Sequence, residues 1–374
     1  MTHSRARQAA EALRAAHDNR MLHARQWADQ GRPVVGCIGA DAPVELITAA
    51  GALPVRLAGT PGRDTRPAGT YLAGAVDPQA VNVLMTFLPP GGPDVDLVVI
   101  THDCDASVQL FYTLRELRRI GATTLPPVCF VDLLHLPGDA TLRYNVRRLR
   151  RLADQLAAWR GHPLDATELE QAVTAHNAAR AARSALRRHR ASALPGAEAL
   201  RWYTAGTVMP PDVYARTVTE ALESPAAPPA GRRLFLSGST HDTADVYDAL
   251  EADGWFIVGD DHDGGDAGDQ PPVTEPTLEG LAAHYTRAVL PAAARTPEER
   301  AATVGEGVRR TGAEAFLSYC RRYDDAHLWD FAAQRAAVSV PSALVRDQPY
   351  GAIDLDALGT PSHPSGSWNA QVTS

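Results

Sequence analysis

The chain has 374 residues, a formal net charge of -8, 45% hydrophobic and 21% charged residues. That balance is ordinary for a globular protein of two domains, and the acidic excess argues against nucleic acid as a partner. All 36 basic side chains are arginine, which excludes a P-loop lysine, a Schiff base, a pyridoxal phosphate anchor and a lysine general base.

Residues from about Ser4 to Gln30 read as one amphipathic helix, charged from its first turn and without the apolar core of a signal peptide. Val34 to Gly39 then reads as a strand, Pro43 opens a helix, Gly51 stops it, and Leu53 to Leu57 returns as a strand, a βαβ unit. Ala80 to Leu88 is read as a helix ended by Pro89-Pro90-Gly91-Gly92. Leu97 to Ile100 is a four-residue aliphatic run, the signature of a strand buried on both faces in a parallel sheet. It stops at Thr101-His102-Asp103-Cys104-Asp105, where Asp105 or Ser107 can cap a helix carrying Leu110, Leu114 and Leu117. Cys129 falls inside the next strand, Pro127 to Val131, and reads as a buried, inert hydrophobe.

Two long helices, about Ala140 to Arg160 and Asp165 to Arg190, read as a connection between halves. Their arginine clusters, Arg147, Arg148, Arg150 and Arg151, then Arg183, Arg187, Arg188 and Arg190, read as solvated faces, with a phosphate-bearing ligand as the alternative. Pro225 to Pro229 is a linker, and a second α/β series begins with a strand at Leu234 to Leu236. That strand ends in Ser237-Gly238-Ser239, and a later one, Trp255 to Val258, ends in Gly259-Asp260-Asp261. The Asp- and Gly-rich loop Asp260 to Asp269 does not fit a calcium-loop template and reads as a polar loop at the sheet rim. Helices near Leu278 to Ala292 and Pro297 to Arg309 precede an apolar run that ends in Cys320. A last strand runs from Val338 to Val345, and the stretch after about Thr360 reads as a disordered tail.

The fold class is therefore α/β, two Rossmann-like domains with parallel sheets joined by a helical connection. The boundaries read as 1–160, 161–230, 231–360 and 361–374. A cleft between the sheets should be lined by the loops after Ile100, Leu236, Val258 and Tyr319. No apolar run reaches membrane-spanning length, and four scattered cysteines without a CxxC pair suit reduced thiols in the cytoplasm. No GxGxxG follows a strand, so a nicotinamide enzyme is disfavoured.

Cys104 and Cys320, and less clearly Cys37, sit at strand ends, where a helix N-terminus favours thiolates. Thiolates drawn from separate loops can hold a soft metal centre. His102 is a candidate acid, base or replacement ligand; Asp105 can cap its helix or approach such a centre; Glu45 can pair with an arginine or move a proton.

These residues resemble the 2-hydroxyacyl-CoA dehydratase family, which includes the benzoyl-CoA reductase subunits. Gly36 with Pro43-Val44-Glu45-Leu46-Ile47 and Ala49-Ala50-Gly51-Ala52-Leu53-Pro54-Val55-Arg56 is similar to its opening motif, and Cys104-Asp105 to its central Cys-Asp. Phe130-Val131-Asp132-Leu133, Leu236-Ser237-Gly238-Ser239, Val258-Gly259-Asp260-Asp261 and Cys320 resemble later motifs. The resemblance implies a [4Fe-4S] cluster held by three cysteines, with Cys104 and Cys320 in register and Cys37 as the candidate third ligand, and cofactor-binding residues Ser237, Gly238 and Ser239. His102, Asp105 and Glu45 are the candidate catalytic residues, and the resemblance implies a related second subunit or homodimer. It also implies an ATP-dependent electron-donating activator and an acyl-CoA or similar thioester substrate.

One departure stands out. The resemblance puts the first family cysteine four residues before Pro43, where this chain has Gly39. Cys37 lies two residues earlier, roughly 6 to 7 Å along a strand. Either the loop is rebuilt, the cluster is ligated differently, or it is absent. Two functions follow: an iron-sulfur subunit that dehydrates or reduces an acyl thioester, or a cluster-less partner subunit of the same fold that serves assembly or substrate binding.

Overall fold

The computed structural model describes residues 2–72, 74–223, 230–289, 294–356 and 358; the linker read at 225–229 and the tail beyond 360 lie outside the described residues. The first half runs α1 (Thr2–Asp18), α2 (Leu22–Ala28), β1 (Val34–Ile38), α3 (Val44–Ala49), β2 (Leu53–Arg56), α4 (Pro78–Met85), β3 (Leu97–Thr101), α5 (Asp105–Arg119) and β4 (Val128–Val131). A helical segment follows, α6 (Asp139–Arg160), α7 (Ala166–Ala193), α8 (Gly196–Ala205) and α9 (Pro211–Ala221). The second half runs β5 (Arg232–Gly238), α10 (Asp245–Ala252), β6 (Trp255–Asp260), α11 (Leu278–Arg287), α12 (Pro297–Thr311), β7 (Ala315–Arg321), α13 (Ala326–Ala336) and β8 (Ser342–Gln348).

Each half contributes a four-stranded, all-parallel sheet, in the orders β2-β1-β3-β4 and β6-β5-β7-β8. The aliphatic runs behave as their pattern requires: β1 and β3 are buried along their whole length. Alternation sends Val35, Cys37, Leu97 and Val99 into the core shared with α3, α6 and α11, and Ile38, Val98 and Ile100 into the one under α4 and α5. The two sheets have the same strand order, so the carboxyl ends of β1 and β3 are matched by those of β5 and β7.

Three local readings need correction. The N-terminal helix is two helices, because the chain turns at Asn19-Arg20-Met21 and Arg20 donates to the Asp242 carbonyl of the other half. Cys129 is half-buried, since β4 is an edge strand with only one neighbour. Asp105 and Ser107 are not caps: Cys104 holds the N-cap position of α5 and makes no side-chain capping bond.

The long helix α7 starts with a reciprocal capping box between Asp165 and Glu168 and touches both halves. Arg180 pairs with the fully buried Glu45 of α3, which also accepts 2.8 Å from the Tyr285 hydroxyl of α11. Arg190, fully buried, donates from Nη1 to Asp260 at 2.6 Å and to Asp266 at 3.0 Å. The reading of these arginines as a solvated face therefore fails for Arg183 and Arg190, which are buried, although Arg147, Arg150, Arg151 and Arg188 are exposed. Among the described residues no helix is long and apolar enough to cross a membrane.

Burial alone would raise the Asp260 carboxyl; the Arg190 charge overrides it and holds the group below the usual carboxylate range. Removing the arginine takes the cation from Asp260 and leaves Asp266 with only Arg310 and Arg187, at 3.7 and 3.9 Å. Arg190→Met should therefore cost about 3 to 5 kcal/mol in a urea denaturation experiment. A loss below about 1 kcal/mol would show that α7 does not hold the second half through this pair.

Candidate functional site

The carboxyl ends of the two sheets face each other across a cleft of about 210 Å³. The first sheet supplies Ile38 at the end of β1 and Gly39 after it, Arg56 at the end of β2, and Asp103, Cys104 and Ser107 after β3. The second supplies Gly238 at the end of β5 and Thr240 after it, Asp261, His262 and Asp263 after β6, and Arg321 at the end of β7 with Asp324 after it. This is the expected rim for ligands in open parallel sheets, and the four loops read from the sequence all reach it.

Two reciprocal ion pairs cross the gap. Arg56 of the first half meets Asp263 of the second, Nη1 to Oδ2, at 2.5 Å. Arg321 of the second half forks onto Asp77 of the first, Nε to Oδ1 at 2.8 Å and Nη2 to Oδ2 at 2.7 Å. Asp77 is also the N-cap of α4, and Gln79 joins the network by accepting from Arg321 at 2.9 Å and donating to Asp242 at 2.9 Å.

Of the residues expected at the site, Cys104 and Gly238 line the cleft. Gly238 has φ +112°, and a Cβ there would run into the Tyr319 carbonyl, so the backbone turn requires glycine. Ser237 donates to Asp261 Oδ2 at 2.8 Å, and Ser239 donates to Asp324 Oδ2 at 2.5 Å. Both serines thus brace cleft carboxylates. His102 and Asp105 are exposed and lie off the cleft; His102 Nδ1 is 2.9 Å from Asp132 Oδ1. Glu45 is sealed in the core with Arg180 and Tyr285. Burial pushes its carboxyl up, but the charges of Arg180 and His176 and the hydrogen bonds hold it down at about 2.

The other thiols are elsewhere. Alternation turns Cys37 away from Ile38 and the cleft, into a second cavity. Cys320 is buried, does not line the cleft, and donates to the Asp324 carbonyl at 3.1 Å. Burial pushes Cys37 and Cys320 each up to about 12, with Asp324 adding to the rise at Cys320; Cys104 is exposed as a residue, but partial desolvation of its thiol at the cleft wall and the neighbouring Asp103 carboxyl raise it as well. The helix N-terminus therefore does not make Cys104 a thiolate at neutral pH: its Sγ lies 3.5 Å from Ser107 Oγ, beside a carboxyl.

Residues the sequence reading passed over carry the polar chemistry. Asp103 accepts from Ser107 Oγ at 2.6 Å and from the Ala40 amide at 2.9 Å, and burial raises its carboxyl above the ordinary range. Asp261 is pushed up to about 7, by burial first and by neighbouring Asp260, against the hydrogen bond from Ser237. Both stand one or two residues past a strand end, and Asp261 also closes the Val258-Gly259-Asp260-Asp261 motif; these are the sequence signals that could have singled them out.

A [4Fe-4S] cube on Cys37, Cys104 and Cys320 does not fit this arrangement, because only Cys104 reaches the cleft. Among the described residues no group of three or more His, Cys, Asp or Glu is placed to hold a metal ion. Gly39, where the resemblance places the first thiolate, has φ +105°, and a Cβ built there would strike the Thr101 hydroxyl. A side chain at that position requires the loop to be rebuilt.

Paired parallel sheets with an acid-lined cleft at their carboxyl ends define a two-domain α/β protein with a cleft between its halves. More narrowly, a family model described as 2-hydroxyglutaryl-CoA dehydratase, D-component, matches residues 40–345, and the chain belongs to that family. No curated protein matches the chain.

Two outcomes follow from the cleft groups. The rate at which N-ethylmaleimide alkylates Cys104 should keep climbing to about pH 10, past the usual thiol pKa of about 8.5, and Asp103→Asn should speed it; a plateau near pH 8.5 would contradict the raised thiol. Asp261 titrates at about 7 in the fold and at roughly 3.9 when unfolded, so the folded state holds the extra proton in between. Stability therefore falls as pH rises through that window. Asp261→Asn should leave Tm unchanged near pH 4 and raise it by a few degrees near pH 8; an equal shift at both would refute the assignment.

Proposed function

We propose that the chain is a component of a 2-hydroxyacyl-CoA dehydratase-type assembly that takes an acyl thioester into the inter-sheet cleft and carries no iron-sulfur cube of its own. The observation behind this reading is the glycine-only loop at Gly39 together with thiols that point three different ways. Asp261 is the group poised to exchange a proton with a bound substrate near neutral pH, and Asp103 is the second protonatable carboxyl on the opposite wall. The expected roles of His102, Asp105 and Glu45 pass to these two residues, because none of the three lines the cleft.

Family membership favours a second reading, in which Cys104 is this chain's contribution to a centre completed by a related subunit. The radical elimination and the electron from an ATP-dependent activator then belong to the assembly rather than to this chain.

The test is binding of 2-hydroxybutyryl-CoA by the full chain. It should saturate, and it should slow alkylation of Cys104 at least tenfold without affecting Cys129, which lies outside the cleft. Saturable binding with no protection of Cys104 would place the thioester elsewhere, and no binding by the chain or its complex would end the reading.

A further inference from the structure

The second cavity, about 150 Å³, adjoins the cleft and shares Gly39, Ala40, Arg56 and Asp263 with it as a common wall. Its far side is built from α7 and α9 and collects donors. Arg183, buried on α7, donates from Nε to the Gly268 carbonyl at 3.1 Å and from Nη1 to the Tyr203 carbonyl at 2.8 Å, and lies 5.1 Å from the centre of the Tyr203 ring. Its neighbours on the helix have carboxylates: Arg180 has Glu45, Arg187 has Asp269, and Arg190 has Asp260 and Asp266. Among the described residues no carboxylate lies within ion-pair distance of Arg183. A buried guanidinium compensated by carbonyl dipoles, a ring face and the Tyr214 hydroxyl, with no carboxylate beside it, is costly, and anions offset that cost.

Two further donors face the same space. Tyr214, fully buried on α9 and lining the cavity, sets its hydroxyl oxygen against the Arg183 guanidinium and has no acceptor for its own proton among the described residues; burial raises the phenol to about 12, so the proton stays on. Arg180, also in the lining, has an unpaired Nε. His176 completes the wall with Nε2 2.9 Å from Thr48 Oγ1, and burial lowers its imidazole to about 4, which leaves it uncharged near neutral pH.

We propose that this cavity is a carboxylate-binding subsite, in which Arg183 and Tyr214 hold the anionic group of a small ligand. A single uncompensated cation suits a monoanionic head better than a phosphate dianion, and a volume of about 150 Å³ suits a short chain behind it. The proposal rests on the cleft reading only for its role: an acyl group lodged across the Gly39–Ala40 wall would place a distal carboxylate here.

The test uses no thioester, so its failure is separate from failure of the cleft reading. Acetate and succinate, titrated calorimetrically into the full chain with inorganic phosphate as comparison, should bind while phosphate does not. Tyr214→Phe, which removes one hydroxyl, should weaken succinate at least fivefold, and Arg183→Gln at least tenfold. Arg187→Gln, on the same helix but outside the lining, should leave affinity unchanged. Should Arg183→Gln fail to fold, Tyr214→Phe decides. No carboxylate binding, equal binding of phosphate, or full affinity in Tyr214→Phe would overturn the assignment.

Discussion

Two arginines ten residues apart on α7 set the frame for everything else. Arg180 is locked to Glu45 beneath the first sheet and Arg190 to Asp260 and Asp266 at the end of β6, so one rigid helix reaches into both halves. Ten residues of helix span about 15 Å, and the cost of burying these charges is met only while each cation keeps its carboxylates in place. Glu45 gains stability from Arg180 above the ordinary glutamate range, and that gain is lost as pH falls toward its folded value of about 2.

With that spacing fixed, the rims of the two sheets meet, and the crossing pairs Arg56–Asp263 and Arg321–Asp77 close the floor of the cleft. Neutralising those arginines with aspartates has a chemical consequence. Asp103 and Asp261 form no ion pair among the described residues, and burial raises both. A proton donor or acceptor near pH 7 thus arises from how the counter-charges are allotted around the rim.

Much of this architecture was legible in the chain. Leu97 to Ile100 could be read as a buried strand because four consecutive aliphatic residues with β-branching permit little else, and the loops after Ile100, Leu236, Val258 and Tyr319 were placed at the cleft by strand polarity alone. The break in the first helix at Arg20 was not legible, since it depends on a carbonyl more than two hundred residues away. Helices α8 and α9 were likewise passed over, since their register comes from packing on α1 and α7. At the site, cysteines drew attention as rare residues, whereas Asp103 and Asp261 were two among many acids. Only their positions against the opposite sheet distinguish them.

Among the described residues, this chain's own side chains do not assemble a cluster site. The most direct measurement is iron and sulfide per chain after anaerobic reconstitution of the isolated protein, with the visible absorption band of a bound cluster as second readout. The expected result is iron well below a full [4Fe-4S] complement and no cluster band, unchanged in Cys37→Ser and Cys320→Ser. A full complement of iron and sulfide that is lost in either of those variants would contradict it.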